Sequence, residues 1–187
     1  MIRIIGGEHR SRQLKVLERP GLRPTPDRVR ETLFNWLAAE IHDARVLDLF
    51  AGSGVLGMEA LSRGAAHADF VEKDAAAARQ LEQNLALLRL QDRARLWRTD
   101  ALAFLQRPPA QPYDIVFLDP PYASDLLAEV LPLITHAGWL AREARIFIDQ
   151  SAHQAAPACL QNGELQWEKL RQGRAGEVSY SLYRVLD

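Results

Sequence analysis

At 187 residues, with 48% hydrophobic and 25% charged side chains, the chain has the size and make-up of a single globular domain, and folding should remove about 70% of its unfolded surface from water. The 11 glycines and 10 prolines follow no period, which excludes collagen-like and low-complexity classes, and no apolar run approaches the ~20 residues of a membrane span. MIRIIGGEHRSR lacks the apolar stretch of a secretory signal and one cysteine, Cys159, cannot make an internal disulfide, so a cytoplasmic protein without membrane contact is expected.

Net charge is only -1, but the charge is unevenly placed. Residues 1–35 carry Arg3, Arg10, Arg12, Lys15, Arg19, Arg23, Arg28 and Arg30 against Glu8, Glu18, Asp27 and Glu31, leaving a mildly acidic body. A basic N-terminal segment of this kind suits phosphate contact, and a solvated charged face explains the charge equally well. Ile2, Ile4, Leu14 and Val16 around Gly6-Gly7 predict a short strand pair, and Glu18–Pro26 reads as a linker. Residues 1–24 are therefore expected to form a basic β arm and residues 25–187 the main domain.

Thr25 as N-cap, Pro26 at the first helical position and Asp27 in the first turn predict a helix carrying Val29, Leu33, Leu37 and Ile41 on one face. Strands and helices then alternate. Strands are expected at Val46–Phe50, His67–Glu72, Arg95–Arg98, Asp114–Asp119 and Arg145–Asp149. Helices are expected at Gly54–Arg63, from Asp74 to about Leu90, at Ala101–Gln106 and over Asp125–Thr135. Nearly wholly apolar strands spaced by helices indicate a parallel sheet covered on both faces. The runs Leu165–Leu170 and Val178–Val185 are joined by a segment too short for a parallel crossover, and predict an antiparallel C-terminal hairpin.

Gly52-Ser53-Gly54-Val55-Leu56-Gly57 sits between a predicted strand and helix, where glycines permit a tight turn and close approach of a ligand. Glu72 lies 20 residues after Gly52 at the next strand end, where a carboxylate can take both ribose hydroxyls of an adenosine-containing ligand. Asp48 separates the two ligand families that fit. A carboxylate there repels a pyrophosphate and attracts the ammonium and sulfonium of S-adenosylmethionine, so the methyl donor is favoured over NAD.

Ile115–Leu118 runs into Asp119-Pro120-Pro121-Tyr122 at a strand end, where parallel-sheet sites form. Asp119 and the Pro120 carbonyl can accept the two N–H groups of an exocyclic amine and aim its lone pair at a methyl group, while Tyr122 stacks on the base. The five histidines show no metal-ligand spacing, so no metal site is expected.

DLFAGSG and DPPY together resemble the class I S-adenosylmethionine-dependent methyltransferases. RIIGG, RPTPDRVRETLFNWL, LDLFAGSGVLGMEALSRGA, FVEKD, TDALAFL and VFLDPPY resemble, more closely, the RsmD family of bacterial small-subunit ribosomal RNA guanine-N2 methyltransferases. The resemblance runs from Arg3 to about Tyr122, and departs at Ser11 and Gln13 from the family's Gly-Arg-Lys-like segment. It implies a doubly wound, mostly parallel seven-stranded α/β sheet with S-adenosylmethionine as cofactor and the small subunit or its 16S rRNA as partner, acting as a monomer. It implies Asp48, Gly52, Ser53 and Gly54 at the methionine end of the donor, Glu72 at the ribose and Asp100-Ala101 at the adenine. Asp119, Pro120 and Tyr122 would then position guanine N2, and Arg10, Arg12, Lys15, Arg28 and Arg30 would meet RNA phosphate. For Asp100 the residues alone also allow a plain helix cap. DNA adenine-N6 methylation, NAD-dependent oxidoreduction and a non-catalytic RNA-binding module are the competing functions; the last two leave the intact DPPY motif unexplained.

Overall fold

A computed structural model describes residues 1–18, 24–136, 138–161 and 165–186. Two short strands, β1 (Ile2–Arg3) and β2 (Gln13–Leu14), pair antiparallel ahead of helix α1 (Asp27–Trp36). Then follow β3 (Arg45–Asp48), α2 (Val55–Ser62), β4 (His67–Val71), α3 (Ala75–Leu87), β5 (Ala94–Trp97), α4 (Ala101–Leu105) and β6 (Tyr113–Leu118). The chain ends with α5 (Leu126–Thr135), β7 (Leu140–Ser151), α6 (Ala158–Gln161), β8 (Trp167–Ala175) and β9 (Val178–Val185).

The main sheet has seven strands in the order β5-β4-β3-β6-β7-β9-β8, with β5 to β7 parallel and β9 antiparallel to both its neighbours. The chain builds outward from β3 to β5, then returns to lay β6 on the other side of β3. The strand order therefore reverses between β3 and β6, where the carboxyl ends of an open sheet leave a crevice. Alternation splits the core. Val46, Phe70, Ile115, Phe117 and Phe147 face α1, α2, α3 and the β1–β2 hairpin, while Leu47, Val71, Val116, Leu118 and Ile148 face α4 and α5.

Several element ends differ from the expectations. Pro26, not Thr25, occupies the N-cap of α1, and Thr25 turns its side chain elsewhere. The helix stops at Trp36, and Leu37 and Ile41 reach the core from the turn that follows. Arg89, at φ 56, terminates α3 two residues after Leu87. The C-terminal hairpin is longer than expected, its strands running to a turn at Gly176-Glu177, and α6 has no periodic signal in sequence. Residues 19–23 of the expected linker lie outside the described residues.

The expected basic arm has its apolar side in the core: Ile2, Ile4 and Leu14 are buried with α1. Its backbone docks on the end of α2, where Ser62 carbonyl accepts Glu8 N–H and Ser62 Oγ accepts His9 N–H. Gly7, at φ +77, lies so close to Ser62 that a Cβ would fall 2.0 Å from its carbonyl oxygen. Buried Glu59 completes the staple by accepting Ile5 N–H at 2.9 Å and Gly6 N–H at 2.8 Å.

Candidate active site

Four carboxylates converge at the carboxyl end of the sheet. The register pairs Asp48 with Phe70 and with Phe117, and Phe117 with Phe147. Glu72, Asp119 and Asp149 each follow one of those phenylalanines by two residues, so they continue the same face across β4, β6 and β7. Asp48 stands beside them on β3. Among the described residues, no Lys, Arg or His side chain bonds any of the four.

Asp48 is buried, and its Oδ2 accepts Gly57 N–H at 3.1 Å. Burial pushes its carboxyl up to about 7, against the Gly57 hydrogen bond, and the charge of Glu72 adds to the rise. Asp119 is driven well above the ordinary carboxylate range by burial and by Asp149 and Asp48, with the Thr25 hydroxyl opposing. Asp149 is raised to about 6 by burial, against a hydrogen bond from Tyr122. A cation placed over this row would relieve all of these shifts at once.

The glycine loop supplies the space for one. Gly54, left-handed at φ 74, is the N-cap of α2, so the N-terminal turn of that helix opens beside the row and gives its Gly57 N–H to Asp48. Gly52 has φ +54, and a Cβ there would meet nothing within 4 Å: the room above it is free for a ligand. Glu72 is oriented by Gly52 N–H on Oε2 at 2.8 Å and by Asp74 N–H on Oε1 at 2.7 Å, and each oxygen keeps lone pairs for a ribose hydroxyl. Ser53 Oγ accepts Val55 N–H at 3.4 Å. The residues present thus fit a ligand that combines a sulfonium and an ammonium with an adenosine.

Asp100 Oδ1 accepts Ala103 N–H at 2.9 Å, so the cap reading holds for one oxygen, with buried Ala101 behind it. Asp119 Oδ2 accepts the Thr25 hydroxyl at 3.2 Å. Pro120 is buried, and Tyr122 donates its O–H to Asp149 Oδ1 at 2.9 Å while the residue as a whole stays 41% exposed. The phenol is held well above its ordinary pKa by burial and by Asp149, so it remains a donor. Beyond it lies a cleft of about 210 Å³ lined by Pro120, Tyr122, Asp149, Gln150 and Gln154.

Sequence reading missed Thr25 and Asp149 as parts of this site. Asp149 carried the same signal as Asp48, an acid closing an apolar strand; Thr25 was masked by its resemblance to a helix cap.

Of the five basic residues expected at RNA, Arg10, Arg12, Lys15 and Arg28 are exposed. Arg30 corrects the expectation. Its side chain is fully buried, bonded to Asp27 at 2.5 Å, to Glu59 at 3.3 Å and to the Thr25 and Arg3 carbonyls. It sits on the core side of α1, next to Val29, because Glu59 needs a cation there. Arg63 Nε closes the cluster on Glu59 Oε1 at 2.9 Å.

The family model described as conserved hypothetical protein 95 matches residues 2–184. The ribosomal RNA small subunit methyltransferase D of Escherichia coli K12 is 50% identical over 183 residues, covering 98% of this chain and 89% of that protein. Its namesake in Haemophilus influenzae is 43% identical over 185 residues, covering 98% and 93%. The solved structure of the Escherichia coli protein yhhF superposes with a TM-score of 0.83 at 46% identity, over 99% of this chain and 98% of that one.

Proposed function

The chain belongs to the conserved hypothetical protein 95 family of small-subunit ribosomal RNA methyltransferases, and on that premise we propose that it moves a methyl group from S-adenosylmethionine to the exocyclic N2 of a guanine in 16S rRNA. The observation that carries the reading is the row Glu72, Asp48, Asp119, without a cationic side chain and beside the open face of Gly52. When bound, S-adenosylmethionine supplies an electrophilic methyl on a sulfonium. The protein's own part is orientation. Asp48 and the α2 N-terminus face the methionine end, Glu72 the ribose and the Asp100 region the adenine.

On the acceptor side, the Asp119 carboxylate and the Pro120 carbonyl take the two N–H bonds of the guanine amine. That draws its lone pair out of conjugation and along the line to the methyl carbon. With the donor bound, nitrogen would take its methyl group, and the proton that nitrogen sheds would pass to Asp119. A carboxyl pushed upward by its surroundings is a better proton acceptor than an ordinary one. Tyr122 offers a ring edge against which an unstacked base can rest. Arg10, Arg12, Lys15 and Arg28 anchor RNA phosphate, and the cytoplasm, where ribosomal RNA resides, is the place of action.

The test is transfer of labelled methyl to small subunits lacking the modification, to naked 16S rRNA and to duplex DNA, with nucleoside analysis. N2-methylguanosine from the ribosomal substrates is the expected product; label in DNA adenine overturns the reading.

A further inference from the structure

The DPPY loop by itself does not distinguish guanine N2 from adenine N6: each is an aromatic amine next to a ring N1. What differs is that N1, a donor in guanine and an acceptor in adenine. We propose that Asp149 accepts the N1–H of the target guanine beside Asp119 on N2, and is the residue that selects guanine over adenine. The inference rests on the guanine-N2 reading above and assigns a second acid to it.

Topology supplies the first argument. The donor loop lies at β3, Asp119 at the end of β6 and Asp149 on β7, in that spatial order. Leu118 pairs with Ile148, so Asp119 and Asp149 follow at one level on adjacent parallel strands about 4.8 Å apart, on one face. Methyl donor, amine and ring N1 fall in the same sequence along a purine's Watson–Crick edge.

Hydrogen bonding supplies the second. Asp149 is 1% exposed, yet its one bonding partner among the described residues is Tyr122, on Oδ1. A carboxylate has about four acceptor sites, and leaving most of them dry is costly. Among the described residues no protein donor bonds Oδ2, and the residue lines the cleft beside Pro120 and Tyr122. An N–H of an inserted base satisfies that oxygen. Asp119 likewise takes the Thr25 hydroxyl on Oδ2, and among the described residues no donor bonds its other oxygen. Two neighbouring acids, each lacking a donor on one oxygen, match the adjacent N1–H and N2–H of guanine and clash with the N1 lone pair of adenine. Tyr122 then has two tasks: its hydroxyl fixes the carboxylate, and its ring flanks the base. With its carboxyl raised only to about 6, Asp149 is mostly an ionised acceptor at neutral pH.

The test compares wild type and Asp149→Asn on small subunits reconstituted with guanosine or 2-aminopurine at the modified position. 2-Aminopurine keeps the amine and has a bare N1. Asparagine keeps the shape and can still accept the Tyr122 O–H, while presenting an N–H in place of Oδ2. Wild type should prefer guanosine by at least about tenfold, and Asp149→Asn should reverse the preference. Differences in amine reactivity cancel in the ratio of ratios. The variant should melt no lower than wild type, since it loses a carboxyl raised by burial, and should still bind S-adenosylmethionine. N2 methylation with the same preference in both proteins, or a variant inactive on both bases, overturns this inference alone. Wild-type methyl on an atom other than guanine N2 overturns the parent reading as well.

Discussion

The Thr25 hydroxyl donates to Asp119 Oδ2 across 3.2 Å, tying the residue ahead of the α1 N-cap to a strand end 94 positions along the chain. Thr25 is itself held from behind, its carbonyl accepting Arg30 Nε at 3.3 Å. The bond aims one carboxyl oxygen at α1 and leaves the other turned to the substrate side. Thr25→Val should therefore lower kcat by about 10- to 100-fold, the worth of a hydrogen bond to a charged group, with the KM for S-adenosylmethionine unchanged. Thr25→Ser should restore the rate. Steady-state kinetics on small subunits check this; a Thr25→Val enzyme of full kcat would show that Asp119 orients itself.

Donor binding should be linked to protons. Asp48, raised to about 7, holds its proton at mildly acidic pH in the ligand-free protein, and burial beside Asp149 and Asp48 shifts Asp119 in the same direction. A cationic donor favours their ionised forms, so affinity should rise between pH 6 and pH 8, and binding at pH 7 should release protons. Calorimetry in buffers of different ionisation enthalpy measures that release directly. A pH-independent affinity would detach the acidic row from the donor.

The same shift carries a stability effect of opposite use. A carboxyl at 3.8 when unfolded and about 7 when folded binds its proton more tightly in the native state, so its contribution is present below pH 4 and is lost as pH rises to 7. Asp48→Asn removes that loss. It should raise Tm at pH 8 by several degrees, at about 2–4 °C per kcal/mol for a chain of this size, and leave Tm near pH 4 unchanged. Donor affinity should fall in the same variant. Thermal melts at the two pH values, with and without donor, separate the effects.

How much of this was visible beforehand divides along physical lines. The central strands were legible because both faces are buried and their middle residues are nearly all apolar, and the acid that interrupts such a run, Asp48, pointed at a cation before any geometry was known. Thr25 was misread because a capping threonine and a threonine reaching across space have the same local neighbours; only the approach of β6 to α1 decides between them. Arg30 was misread for a related reason. Its charge suggested solvent, and its position on the face of Val29 and Leu33 became informative only once Glu59, itself on an all-buried helix, was seen to lie opposite. Asp149 had a usable signal that was passed over, because the strand bearing it was read only as part of the core.

Glu59 holds three elements together: it accepts two N–H groups of the hairpin and pairs with Arg30 of α1 and Arg63 beyond its own helix. Glu59→Ala strands the Arg30 guanidinium without its buried partner, and should destabilise the protein by about 3–5 kcal/mol. Amide exchange should show β1 and β2 losing protection before the main sheet. Equal loss across the main sheet would mean that the hairpin is held chiefly by Ile2, Ile4 and Leu14.

The same burial separates the arginines by function. Arg10, Arg12 and Lys15 project from a hairpin whose backbone is pinned by Glu59, Ser62 and Asn84, the last accepting Lys15 N–H at 3.3 Å and donating to its carbonyl at 2.7 Å. Fixed backbones under exposed cations give a rigid platform for phosphate. Neutralising all three should weaken binding to 16S rRNA and reduce the log-log salt slope by about 0.7–0.9 per lost contact. Arg30→Met should leave the slope unchanged while lowering Tm, because its charge is spent inside the protein. Filter binding across a salt series distinguishes the two classes: an Arg30 variant with a shallower slope would place that residue at the RNA, and an unchanged slope in the triple variant would move the interface off the hairpin.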